Sequence, residues 1–168
     1  MDETELRQFL HEDYPRLVGA VALFTGDLAT AEDAVQEAVA RAWERTERGQ
    51  PIASLDRWVA AVAMNLSRSR LRHLRVERRA RHLLVQPASV AAPNADAVDI
   101  RSALQDLPQR QREVVVLRYY LDLDTAQVAE AMGTSAGTVK SQLAKARRHL
   151  ADVLSIPDGD EEQWHADV

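Results

Sequence analysis

The chain has 168 residues, 46% of them apolar, and a formal net charge of −5. That length suits one ordinary domain or two small ones, and sparse Gly and Pro, six each, among abundant Ala, Leu, Arg, Glu and Val favour an all-α fold. No apolar run approaches the roughly 20 residues of a membrane span, and with no cysteine disulfides and thiolate metal sites are excluded.

The five His residues show no metal-ligand spacing. The opening MDETELRQFLHEDY is acidic and lacks the basic-then-apolar order of a signal peptide, so a cytoplasmic protein is expected. Charge falls in blocks. Residues 1–50 hold 11 acids and 5 bases, residues 65–82 hold 7 Arg and one Glu, residues 140–150 hold four cations and no acid, and residues 151–168 hold 6 acids and no base. Such local blocks matter more than the total, because the Debye length at physiological salt is only about 8 Å.

In chain order, a first helix is expected over about residues 3–24, broken or kinked by Pro15 and stopped at Gly26. Thr30 reads as the next N-cap. Ala31, Ala34, Val35, Ala38, Ala42 and Trp43 then recur at helical spacing and leave Asp33, Gln36, Glu37, Arg41 and Glu44 on the other side. Gly49, Gln50 and Pro51 mark a loop, and Ser54 reads as the cap of a long third helix. Its buried stripe is Trp58, Val59, Val62, Ala63 and Leu66. Beyond Leu66, the residues Arg68, Arg72, Arg75 and Arg79 line one helical face. Like charges stacked so repel by a few tenths of a kcal/mol per pair, and a polyanion relieves that repulsion.

VQPASVAAPNAD, residues 85–96, reads as a flexible linker. A second helical unit follows: a short helix with Ile100, Ala103, Leu104 and Leu107 ended by Pro108, then a helix through Val114, Val115, Leu117, Arg118 and Leu121. Asp124 and Gln127 form a capping-box pair for the next helix, which Gly133 ends, and Ser135 caps the last. Its inner face is Val139, Leu143, Ala146 and Leu150. A short helix, a Gly turn and a capped second helix make a helix-turn-helix, whose second helix enters the major groove of DNA. The groove-facing positions are Thr138, Lys140, Ser141, Ala144 and Lys145. The helix N-terminus at Ser135, Gly137 and Thr138 offers N–H groups to a phosphate, and Arg147 and Arg148 reach the flanking backbone.

LPQRQREVVVLRYYLDLDTAQVAEAMGTSAGTVKSQLAKARRHL resembles the C-terminal domain of bacterial sigma factors. TAEDAVQEAVARAW, followed by SLDRWVAAVAMNLSRSRLR, resembles their first conserved domain. Two domains with a short linker look like the extracytoplasmic-function (ECF) group of the sigma-70 family. The resemblance implies two small helical domains, at residues 1–84 (region 2) and 97–155 (region 4), joined by residues 85–96 and followed by an acidic tail at 156–168. It further implies that Asp33, Gln36, Glu37 and Arg41 dock on the β′ clamp helices of core RNA polymerase. Asn65, Arg68, Arg72, Arg75 and Arg79 would bind the −10 element, and Ser135, Thr138, Lys140, Ser141, Ala144, Lys145, Arg147 and Arg148 the −35 element. Promoter DNA and an anti-sigma factor are the other implied partners. The expected protein is a monomer when free, inserts into no membrane, carries no cofactor and is not an enzyme. Ser69 and Gln142 depart from the family, which often has an acid and an Arg there. Two other classes remain: a stand-alone helix-turn-helix regulator, and an interaction module with an incidental basic face. The acidic tail is expected to be solvated, the alternative being that it folds back on a basic helix.

Overall fold

The computed structural model describes the backbone of residues 3–81 and 95–154, and the side chains of residues 3–74 and 100–154. The acidic tail, most of the expected linker, and the side chains of Arg75 and Arg79 lie outside the described residues. Among the described residues the fold is all-α.

The stretch expected as one N-terminal helix is two, α1 (Glu3–Glu12) and α2 (Tyr14–Thr25). Pro15 sits in the first turn of α2, where no backbone N–H is needed, so it starts a helix instead of kinking one. Gly26 ends α2 at φ 82°, a left-handed conformation that favours glycine, and its N–H donates to the Ala22 carbonyl. The cap of α3 (Leu28–Glu47) is Asp27, not Thr30. Asp27 has the extended backbone an N-cap needs, and its carboxylate accepts the Thr30 N–H at 2.7 Å. Thr30 lies one turn inside. After the loop at Gly49, α4 runs from Leu55 to Arg81. Ser54 precedes it, with its hydroxyl engaged by Asp56 and Arg57.

Alanine dictates how α2, α3 and α4 pack. Ala31, Ala34, Ala38 and Ala42 are fully buried along α3, and Ala60 and Ala63 are buried on α4. Small side chains at a crossing bring helix axes toward the close end of the roughly 8–10 Å range. Leu17, Val21, Phe24, Val35, Val59 and Met64 fill the space between. Trp58 is only partly buried and packs at the margin, with Arg45 6.0 Å above its ring.

The C-terminal half begins with α5 (Ala95–Asp106), so Ala95 and Asp96 are helical where linker was expected. Pro108 stands at the entry of α6 (Gln109–Val115), which continues into a π-helical turn over Val116–Tyr120. The Leu121 N–H reaches the Val116 carbonyl, the i→i+5 bond of a π-turn. Then come α7 (Thr125–Met132) and α8 (Ala136–Leu154). Val139, Leu143 and Ala146 are buried on α8, and Leu150 is half-buried beside them.

The halves pack directly on one another. Val114, Leu117, Val128, Met132, Val139 and Leu143 join the same buried cluster as the core of the first half. Leu23 of α2 also packs against a smaller cluster of Leu104, Leu107, Val115 and Ala146. Gln105 Nε2 donates to the Leu23 carbonyl at 2.8 Å, and Arg16 Nη2 donates to the Tyr120 carbonyl at 3.0 Å. The Tyr120 hydroxyl lies where a side chain at Gly19 would begin.

Candidate nucleic-acid interface

The helix-turn-helix is held by local chemistry at each joint. Asp124 accepts the Gln127 N–H while Gln127 accepts the Asp124 N–H, both at 2.8 Å, so the capping box is complete. Gly133 turns the chain at φ 59°. Its N–H and that of Thr134 donate to the Glu130 and Ala129 carbonyls, the paired bonds of a Schellman stop. Ser135 Oγ accepts the Thr138 N–H at 3.2 Å and shares a 2.9 Å hydroxyl contact with Thr138. The first turn of α8 is thereby capped.

Of the residues expected to face −35 DNA, Ser135, Thr138, Lys140, Ser141, Ala144, Lys145 and Arg148 are exposed. Val139, Leu143 and Ala146 alternate between them and point inward. The result is a polar, cationic, shallow face on one helix, suited to base edges and phosphates. Arg147 is half-buried and restrained: its Nε donates to the Tyr119 hydroxyl at 2.8 Å, and its guanidinium stands 5.9 Å above the Tyr119 ring. Tyr119 was not singled out in the sequence. It reaches α8 from the π-turn, which leaves no periodicity signal in the sequence.

The row expected to bind the −10 element is divided. Asn65 and Arg72 are exposed. Arg68 is not: its side chain is 12% exposed and 3.1 Å from the wholly buried carboxylate of Glu113 on α6. Arg68 also donates to the Ala131 carbonyl at 3.3 Å, the Met132 carbonyl at 3.4 Å and Asn65 Oδ1. Burial lowers the pKa of Arg68 from its ordinary value. Burial likewise pushes the Glu113 carboxyl up to about 7, against the pull of Arg68 and of Arg110 at 3.8 Å. Neither Glu113 oxygen accepts an aligned hydrogen bond, so the pairing is electrostatic. Nothing in the REV triplet of the sequence marks its Glu as buried.

Asp33, Gln36, Glu37 and Arg41 come together on the exposed side of α3. With Ala40 of α3 and Leu66 and Arg70 of α4 they line an open groove. Arg41 pairs with Glu37 at 2.8 Å one turn apart. Arg70 bridges the two helices, 3.4 Å from Asp33. Leu66 is half-buried in this lining, beside the paired charges. Among the described residues no cluster of His, Asp and Glu could hold a metal ion. No described helix is long and apolar enough to cross a membrane.

Comparison with known proteins matches each half to a family profile. The profile for Sigma-70 region 2 matches residues 9–79, and that for Sigma-70 region 4 matches residues 97–150. The chain is 31% identical to the ECF RNA polymerase sigma factor EcfG of Rhodopseudomonas palustris, covering 94% of this chain and 88% of that one. It is 32% identical to SigL of Mycobacterium tuberculosis, covering 88% of each. It is 34% identical to SigG of the same organism, of which it spans about half the length, 48%. Among solved structures, the sigma factor RpoE of Bartonella quintana, in complex with the anti-sigma factor NepR, superposes with a TM-score of 0.78. The match is 24% identical and covers 91% of this chain and 98% of that one. CnrH, in complex with the cytosolic domain of CnrY, superposes at 0.68 with 21% identity, covering 92% and 90%. With both region profiles matched in order and near-full-length relatives above 30% identity, the chain belongs to the ECF RNA polymerase sigma factors.

Proposed function

We propose that the protein binds core RNA polymerase and directs it to promoters bearing particular −10 and −35 elements. It acts in the cytoplasm as a monomer when free. It is not itself an enzyme; the polymerase does the chemistry. Residues 1–84 serve core binding and the −10 element through Asp33, Gln36, Glu37 and Arg41 and through Asn65, Arg68, Arg72, Arg75 and Arg79. Residues 97–155 read the −35 element through α8. An anti-sigma factor, the kind of partner present in the RpoE complex, restrains it.

The observation that carries the proposal is the exposed face of α8, where Thr138, Lys140, Ser141, Ala144 and Lys145 stand clear of the core on a helix capped at its start. A promoter contact needs groups free to reach base edges and a backbone held in register; the exposure of these side chains and the Ser135 cap support that reading. The experiment is size exclusion of the purified protein with core polymerase, with a housekeeping sigma factor as competitor. Stoichiometric, competable co-elution is expected. Its absence would sink the proposal and favour a free-standing DNA-binding regulator.

A further inference from the structure

We infer that Lys140 and Lys145 form an acylation site, taking an acetyl group from an acyl phosphate, and that the modification weakens duplex binding while leaving core binding intact. The consequence for core binding rests on the sigma reading above. The starting point is which cations the chain uses. Lysine and arginine together number 21, and only Lys140 and Lys145 are lysine. Both stand on α8, on the exposed arc that Val139, Leu143 and Ala146 turn away from. Either side chain can hold a phosphate, but their covalent chemistry differs. A guanidinium keeps its proton in a protein and is no nucleophile. An ε-amine in its neutral form has a lone pair to give. No cysteine competes for an acyl donor, and an acyl group on histidine hydrolyses. Besides the α-amino group, a stable acyl amide can therefore form only at these two positions.

The setting favours the reaction. Both lysines are exposed, and among the described residues neither is hydrogen-bonded or ion-paired. No acid lies between Gly133 and Leu150, so the face attracts a small anion. Arg148 is exposed one turn beyond Lys145, placed to hold the phosphate end of the donor. The neutral amine attacks the acetyl carbonyl carbon and a carbon–nitrogen bond forms. The bond from that carbon to the phosphate oxygen breaks, inorganic phosphate leaves with the electron pair, and the surplus amine proton passes to water. The amide that results has no charge and no ammonium donors. Acylation of both lysines removes two of the four Lys and Arg cations on α8, whereas residues 1–84 contain no lysine to modify.

The probe is acetyl phosphate, applied to the full chain. Peptide mapping by mass spectrometry should find acetyl groups on Lys140 and Lys145. Fluorescence anisotropy on random and −35-selected duplexes should show affinity falling as acetylation proceeds, with the salt slope lower by about 1 for each lysine that holds a phosphate. The double variant Lys140→Arg, Lys145→Arg keeps both charges and offers no ε-amine. Measured against its own untreated value, its affinity should not move on treatment, which separates the lysines from the α-amino group. Treated wild type should co-elute with core polymerase as untreated protein does. Three results would overturn the inference: acetylation of the α-amino group with both lysines bare, acetylation of both lysines with no loss of duplex affinity, or a treated double variant that weakens as the wild type does. Failure of the untreated chain to co-elute with core would instead remove the sigma role, and mapping together with random-duplex affinity would still decide the acylation.

Discussion

Two side chains carry consequences out of proportion to their size. The first is Glu113. An unfolded Glu releases its proton near 4.5, whereas the buried carboxyl keeps its proton up to about 7. Between those values the folded chain holds the extra proton, so stability falls as pH rises through that window. Glu113→Gln keeps the shape and the neutral state. Thermal unfolding of the variant should lose this descending limb between pH 5 and 7, while the opposite contribution of Asp27, whose pKa is lowered by its bonds to Thr30, persists at lower pH. An unchanged descending limb in the variant would place its origin elsewhere. The second is Tyr119. Tyr119→Phe removes the acceptor of Arg147 Nε but keeps the ring that Arg118 and Arg147 share. Duplex affinity should drop by about 0.5–1.5 kcal/mol. Under the proposed role of Arg147 at the flanking backbone, fluorescence anisotropy should show the drop equally on cognate and random duplex, because a phosphate contact carries no sequence information.

At the scale of the element, the helix-turn-helix was legible because its signals are local. Asp124 with Gln127, Gly133 and Ser135 act within a few residues of themselves, and each does in the fold what its type and spacing imply. Asp124→Ala should therefore cost about 1 kcal/mol, read as a lower midpoint in urea unfolding. The start of α3 was misread for the same local reason: Asp27 and Thr30 are both good caps three residues apart, and the extended backbone at Asp27 decides between them. Pro15 breaks the N-terminal stretch as its type implies, and does so by starting a new helix in its first turn. On α8 the exposed positions divide by chemistry. Ser141→Ala removes a group able to bond a base edge and should lose about 1–3 kcal/mol on the cognate duplex only. Lys145→Ala should weaken all duplexes alike and lower the salt slope by about 1. Selection of the −35 duplex followed by salt titration of both variants separates the two roles; identical behaviour would mean the face is read by charge alone.

At the scale of the molecule, sequence order conveys the division into two helical halves but not how they meet. Arg68 and Glu113 are far apart along the chain, and neither neighbourhood betrays the other. A row of arginines reads as a surface waiting for a polyanion, and one of its members proves to be satisfied internally. The same holds for Gly19, an unremarked glycine in a helix until Tyr120 is placed over it.

The π-turn ties these scales together. Tyr119 and Tyr120 are neighbours in the chain, about a quarter turn apart around the helix, and equally exposed at 41%. One grips Arg147 on α8, and the other rests on Gly19 of α2. Adjacent residues of one turn thus place an arm on each half, so a substitution that straightens the turn bears on the seat at Gly19 and on the anchor of Arg147 alike.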